Sequence, residues 1–456
     1  MIGLRSNRAA DPARSNERWF LAPVMAVETA LTAAAAANPL TAGALVAAIV
    51  ALAAAVLAPA VVMAAAFPAT FGYWRVGPAA VGMSVADAVT ILGALASIPY
   101  VPWRTPLMRQ ILLPFALYVG LLAVSVAAHP STRTLTELGH RVLLVVGAMM
   151  IGAALANLGH TRLALRMLFA FASVVAAAAI VFTLTHRLAA AYPFGIQKNT
   201  SGSLLASCLV IAVSAGHLLE LPRRWTIPLY AVISLGFLSS QSRGAMLALV
   251  AVLFVFVARH GRGRVRIWAP VLLGVTVVVL GLAATSYNER DLAVTSANAK
   301  YNSLNSRVDV YTYALENQFK PHPVVGAGMK WFKVGDSIAN GPHNFVVAEL
   351  SETGLIGLFG LLVFAGITLN SLRRRHGRTA EVAYLVLLER LLDSLLGIFW
   401  VAGTATLPFL VIGLAIGEEA DRQAAADRYS PASVERNRAL AAAGVVVTPV
   451  LPSDRR

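Results

Sequence analysis

At the polar end of one long loop this sequence places a base that titrates near neutrality, and its other polar stretches offer a few fixed cations. His343, in Asn340-Gly341-Pro342-His343-Asn344, is the base. An imidazole with a pKa near 7 can take a proton from an attacking hydroxyl as a general base. Arg243, in Ser239-Ser240-Gln241-Ser242-Arg243-Gly244-Ala245, and Arg307, after Ser306, are the main cations. A guanidinium at a helix start, beside unpaired backbone N–H groups, makes a site for phosphate oxygens. Lys198 and Asn199, in Gly195-Ile196-Gln197-Lys198-Asn199, precede another helix start and are lesser candidates for binding substrate. Asn344 can orient the His343 turn or touch substrate, whereas Glu349 and Glu352, one and two turns further on, can orient at most.

Each of these residues also has a plainer reading. Arg243 can cap a hairpin by bonding orphan carbonyls, and Arg307 can pair with Asp309 or Glu316. Lys198 can serve as an interfacial anchor, and a single histidine at a loop end can be structural. Spacing by itself does not choose between the readings. No Asp-x-Asp or other carboxylate pair accompanies these residues in a metal-binding arrangement, so the expectation is a reaction with no metal and no cofactor. There is no Walker motif, zinc spacing or dinucleotide fingerprint, so any energy the reaction needs comes from its substrate.

The elements that must position these groups are membrane helices. Hydrophobic residues make up 58% of 456, charged residues 13%, and the mean hydropathy is +0.70. A soluble chain carries roughly 25% charged residues. The apolar residues fall in blocks near 41–67, 84–100, 109–128, 139–158, 164–185, 200–219, 226–240, 243–259, 266–286, 346–371, 380–397 and 399–417, each close to the length that crosses a bilayer. Basic residues occupy alternate connections: Arg104 and Arg109, Arg162 and Arg166, Arg223 and Arg224, and the Arg-rich runs 259–264 and 373–378. The positive-inside rule makes those connections cytoplasmic and accounts for most of the net charge of +15 without nucleic acid.

The predicted fold is therefore all-α: a polytopic transmembrane bundle of about twelve crossings with one long, partly helical loop facing outward. Residues 1–40 read as a cytoplasmic N-terminus with an interfacial helix, 41–286 as helices one to nine and 287–345 as the outward loop. Residues 346–417 read as helices ten to twelve, and 418–456 as a partly disordered cytoplasmic tail. No cleavable signal peptide is expected. The first block contains Pro59 and invites a kink or break. Glu389, Arg390 and Asp393 lie in an apolar block and are expected to pair with one another inside the bundle. The loop spans roughly 55 residues where a typical connection has about 4–6. It reads as containing a helix capped by Ser306, with Asp309 bonding back. The lone Cys208 excludes an internal disulfide.

The stretch from His343-Asn344-Phe345 to Glu352-Thr353-Gly354-Leu355-Ile356-Gly357 resembles the signature of the O-antigen ligase family of bacterial inner-membrane proteins. Ser242-Arg243-Gly244-Ala245, Ser306-Arg307 and Pro323-Val324-Val325-Gly326-Ala327-Gly328 resemble its other landmarks, and so does the layout of crossings around one large loop. Relatives often carry His-Pro-Asn where this chain has Gln197-Lys198-Asn199. The resemblance implies a GT-C-like glycosyltransferase with its site at the periplasmic face. Its donor would be a glycan on undecaprenyl pyrophosphate, its acceptor lipid A–core, and its outcome inversion. His343 would then be the general base and Arg243 and Arg307 the pyrophosphate clamps, with Lys198, Asn199 and Asn344 binding substrate. O-antigen polymerases and protein O-oligosaccharyltransferases share donor and residues. A lipid or solute transporter fits the topology but not the polar residues crowded at one face.

Overall fold

The computed structural model describes residues 58–75, 83–186, 189–261, 303–330 and 341–428. The interfacial helix expected within residues 1–40, the block at 266–286, residues 287–302 and 331–340 of the loop and the end of the tail lie outside these residues. Among the described residues all regular structure is helical, apart from one isolated bridge between Arg75 and Ser84.

Of the first apolar block, only the part from Ala58 onward lies among the described residues. Helix α1 (Pro59–Ala69) begins at Pro59, whose fixed φ and missing N–H suit a first helical position. Helix α2 (Val85–Ser97) opens on a reciprocal cap: Ser84 Oγ accepts from Asp87 N–H at 3.2 Å, and Asp87 Oδ2 accepts from Ser84 N–H at 2.9 Å. Helix α3 (Pro106–Ala128) again starts on proline. Helices α4 (Thr132–Val142) and α5 (Ala148–Asn157) are joined by a π-turn at Leu143–Gly147 into one rod. Helices α6 (Thr161–Thr185), α7 (Lys198–Ala215), α8 (Arg223–Ser240) and α9 (Arg243–His260) follow.

The loop contributes α10 (Ser303–Ala314), continued by a π-turn at Leu315–Phe319. Because α10 is already helical at Ser303, Ser306 lies inside it and not at its cap, a correction to the expected helix start. The last three helices are α11 (Phe345–Arg373), α12 (Arg378–Ser394) and α13 (Thr406–Arg428). Helix α13 continues through Glu418, where the sequence reads as a polar tail.

Among the described residues, six helical segments are long and apolar enough to span a membrane: Pro106–Ala128, Thr132–Asn157, Thr161–Thr185, Lys198–Leu219, Arg243–His260 and Phe345–Arg373. Water drives no helix association inside lipid, so close approach through small residues replaces it. Helix α13 packs on α5 in this way: a Cβ on Gly152 would lie 2.0 Å from the Leu410 carbonyl oxygen, and one on Gly413 2.3 Å from that of Met149. Helix α11 runs along α3, and α12 packs among α7, α9 and α13. These contacts hold the outward-reading ends of α7, α9, α11 and α12 together.

Candidate functional site

Helix α11 is not one continuous rod. Gly354 has φ +67° and ψ −164°, a conformation essentially reserved for glycine. The break frees backbone groups, and in a bundle without water each unpaired group costs several kcal/mol. A short segment of the loop satisfies them. Ala327 N–H donates to the Ser351 carbonyl and Gly328 N–H to that of Glu352, both at 2.9 Å. In the other direction, Leu355 N–H donates to the Pro323 carbonyl at 2.9 Å and Ile356 N–H to that of Val324 at 3.3 Å. The fit leaves no room for a side chain: a Cβ on Gly354 would lie 2.2 Å from the Val324 oxygen. Ser125 Oγ, from α3, donates to the Val325 carbonyl at 2.6 Å and pins the segment from the opposite side. The Pro323-to-Gly328 landmark and Gly354 are thus two halves of one joint.

His343 and Asn344 lie immediately before this helix. Asn344 caps α11, its Oδ1 accepting from Val346 N–H at 2.9 Å and Val347 N–H at 3.2 Å. That side chain is committed to the cap, which favours its orienting role over contact with substrate. The His343 carbonyl accepts from the Tyr311 hydroxyl of α10 at 3.0 Å, so helix cap and loop helix together fix the backbone of the histidine. The imidazole is half-buried. Burial, and then the positive charge of Arg307, push its pKa below the ordinary 6.5. Loop helix α10 therefore brings Arg307 into the field of His343.

The second group of residues lies where two helix starts meet. Lys198 is the first residue of α7 and Arg243 the first of α9. Ser242 Oγ lies 3.4 Å from Asn199 Oδ1, and a Cβ on Gly202 would be 2.5 Å from that of Ser242. Gln241, with φ +51°, turns the chain tightly between α8 and α9. Two positive helix ends, a lysine and an exposed arginine gathered here suit an anion.

The two groups are joined through the buried cluster on α12. Arg390 pairs with Asp393 at 2.9 Å and donates to the Phe399 carbonyl at 2.9 Å, and Glu389 accepts from Ser207 at 2.7 Å. The expected pairing of these three residues within the bundle is present as an Arg390–Asp393 ion pair with Glu389 held by a serine. A Cβ on Gly244, next to Arg243, would be 3.0 Å from Asp393. The Phe399 ring lies 6.1 Å from that of Phe345, at the start of α11. His343 and Arg243 thus occupy the same end of the bundle.

A larger charged cluster went unrecognised in the sequence. Arg141, 1% exposed, sits at the end of α4 and pairs with Glu349 at 2.8 Å and Glu352 at 3.2 Å. It also bonds the Tyr118 hydroxyl, approaches Glu137 at 3.4 Å and lies 4.9 Å over the Trp400 ring. Glu137 in turn pairs with Lys330 at 3.2 Å, and His140 lies 2.9 Å from Asp87. Glu137 and Arg141 fall at the edge of an apolar block, and a charge retained there is the signal that would have marked them.

Comparison with known proteins bears on this geometry. No curated protein matches the chain. Residues 228–362 match the family model described as O-antigen ligase, from α8 through Arg243, the loop and His343 to the helix beyond Gly354. Lys198 and Asn199 lie outside the matched segment. Over residues 228–362, then, the chain is similar to the O-antigen ligase family.

Proposed function

We propose that this chain is an O-antigen ligase of the bacterial inner membrane. It moves O-antigen glycan from undecaprenyl pyrophosphate to lipid A–core at the periplasmic face. The observation that carries this reading is the coincidence of the family match with the site geometry. The matched segment is the one in which Arg307 acts on His343 and Arg243 occupies the same bundle end. His343 takes the proton of the acceptor hydroxyl as that oxygen attacks the anomeric carbon. The bond to the lipid pyrophosphate breaks with inversion, and Arg243 and Arg307 neutralise the departing oxygens without themselves changing protonation. Lys198 and Asn199 add donors at the meeting of α7 and α9. No metal or cofactor enters the scheme.

The test uses purified full-length protein, lipid-pyrophosphate-linked glycan, and either lipid A–core or no second acceptor, with products separated by gel. Glycan on lipid A–core is the expected product, and His343→Ala should reduce its rate by about 10²–10⁴-fold. Longer glycan on the carrier without lipid A–core identifies a polymerase instead. Transfer to a protein hydroxyl identifies an oligosaccharyltransferase, and transfer to no acceptor removes the enzymatic reading.

A further inference from the structure

The Arg141 cluster has a geometry that stability alone does not explain. Burying charges is expensive, and apolar replacements of a buried ion pair are often neutral or stabilising. Such groups earn their place where they fix a register. The central links of this cluster lead to the elements around His343. Arg141 Nη1 reaches both carboxylate oxygens of Glu349, at 2.8 and 3.0 Å, and Nη2 reaches Glu352 at 3.2 Å. These two glutamates occupy the turns of α11 between the Asn344 cap and the Gly354 break. Tyr118 of α3 donates to the same Glu349 oxygen at 2.8 Å, and Thr353 donates to it at 2.9 Å. Glu137, one turn before Arg141, carries the cluster to Lys330 in the loop. His140 carries it to Asp87 of α2, whose other oxygen closes the α2 cap.

We infer that Arg141 is a positioning residue for His343, clamping the short helical piece between Asn344 and Gly354 against the α3–α4 hairpin. That piece cannot borrow rigidity from the rest of α11, because Gly354 interrupts the helix. Its upper end is held by Tyr311 and the Asn344 cap, and its lower end by the loop joint and Arg141. A planar guanidinium suits the task because one rigid fork addresses carboxylates on two successive turns, which a lysine ammonium does not reproduce. The inference rests on the proposed role of His343 as general base.

The experiment compares wild-type, Arg141→Lys and Glu349→Gln full-length proteins in lipid nanodiscs, all checked for intact melting. Transfer kinetics are read across pH, and backbone hydrogen exchange is read over residues 341–348. Arg141→Lys should lower kcat on the order of 10–100-fold, with both substrate KM values within about twofold, because misplacement far from the chemistry acts on the reacting geometry. The acid limb of the rate should rise toward the ordinary imidazole value as His343 leaves its burial and the charge of Arg307. Exchange at the capped Val346 and Val347 amides should accelerate. Unchanged kcat, limb and exchange in folded Arg141→Lys would overturn the inference. If that variant fails to fold, Glu349→Gln, which removes one clamped charge while keeping its shape, decides on the same readouts. If the wild type transfers no glycan, the functional reading fails, and hydrogen exchange alone decides the clamp.

Discussion

A histidine that is to accept a proton from a sugar hydroxyl must be neutral when the hydroxyl arrives. Burial and the Arg307 charge favour that form of His343, because both oppose a second positive charge. The sign follows directly. The base is competent above its depressed pKa and loses activity as pH falls through it, so the acid limb of kcat/KM should lie below 6.5. A limb at or above that value, measured by pH–rate profile, would take His343 out of the role. Arg243 presents a different case, since its task would be geometric as well as electrostatic. Arg243→Lys retains a charge at the start of α9 but loses the planar fork, and kcat should drop by tenfold or more if the fork grips phosphate. An unchanged turnover would leave Arg243 as a helix cap. His343, Arg307 and Arg243 were legible as candidates because polar residues at helix starts stand out in a chain this apolar. The commitment of Asn344 to its cap was only half legible, since a cap and a ligand use the same side-chain oxygen.

The break in α11 separates two kinds of glycine on one helix. Gly354→Ala places a Cβ against the Val324 carbonyl and in a backbone region that disfavours side chains, at a cost of at least about 1–3 kcal/mol from strain alone. Gly366, in the same helix, has open space around its Cβ position. Gly366→Ala should be neutral or stabilising by about 0.5–1 kcal/mol, and thermal melts of the two variants give the comparison. Equal melting temperatures would mean that the joint between loop and helix bears no strain. Most helices could be read from the apolar blocks, with proline and serine marking the starts of α1, α2 and α3. The break could not, because the block around Gly354 reads as one continuous helix and the conformation of the glycine depends on the distant segment 323–328. The start of α10 was misplaced for a related reason: Ser306-x-x-Asp309 has capping spacing, yet the helix is already formed three residues earlier.

At the scale of the whole molecule, charge inside the bundle is held by other protein charges. Among the described residues no group of three or more His, Cys, Asp and Glu side chains is arranged to hold a metal ion. The carboxylates nearest the site are instead paired with Arg141, Lys330 and Arg390. The proposed scheme uses no metal, so transfer should survive EDTA undiminished, and loss of activity restored by magnesium or manganese would contradict it. Sequence reading recovered the Arg390 cluster, whose members lie within one helix turn or so, and missed the Arg141 cluster. Its members come from α2, α3, α4, the loop and α11, and no local pattern announces a meeting of five segments. The joint at Gly354 also orders the making of the protein. The ribosome delivers residues 323–328 before the helix that receives them, so this part of the loop has no partner until α11 has been inserted. His343 gains its backbone restraints only then. On the proposed scheme, a nascent or truncated chain that ends before α11 would carry the arginines without a positioned base, and such a half-built protein would leave the donor intact.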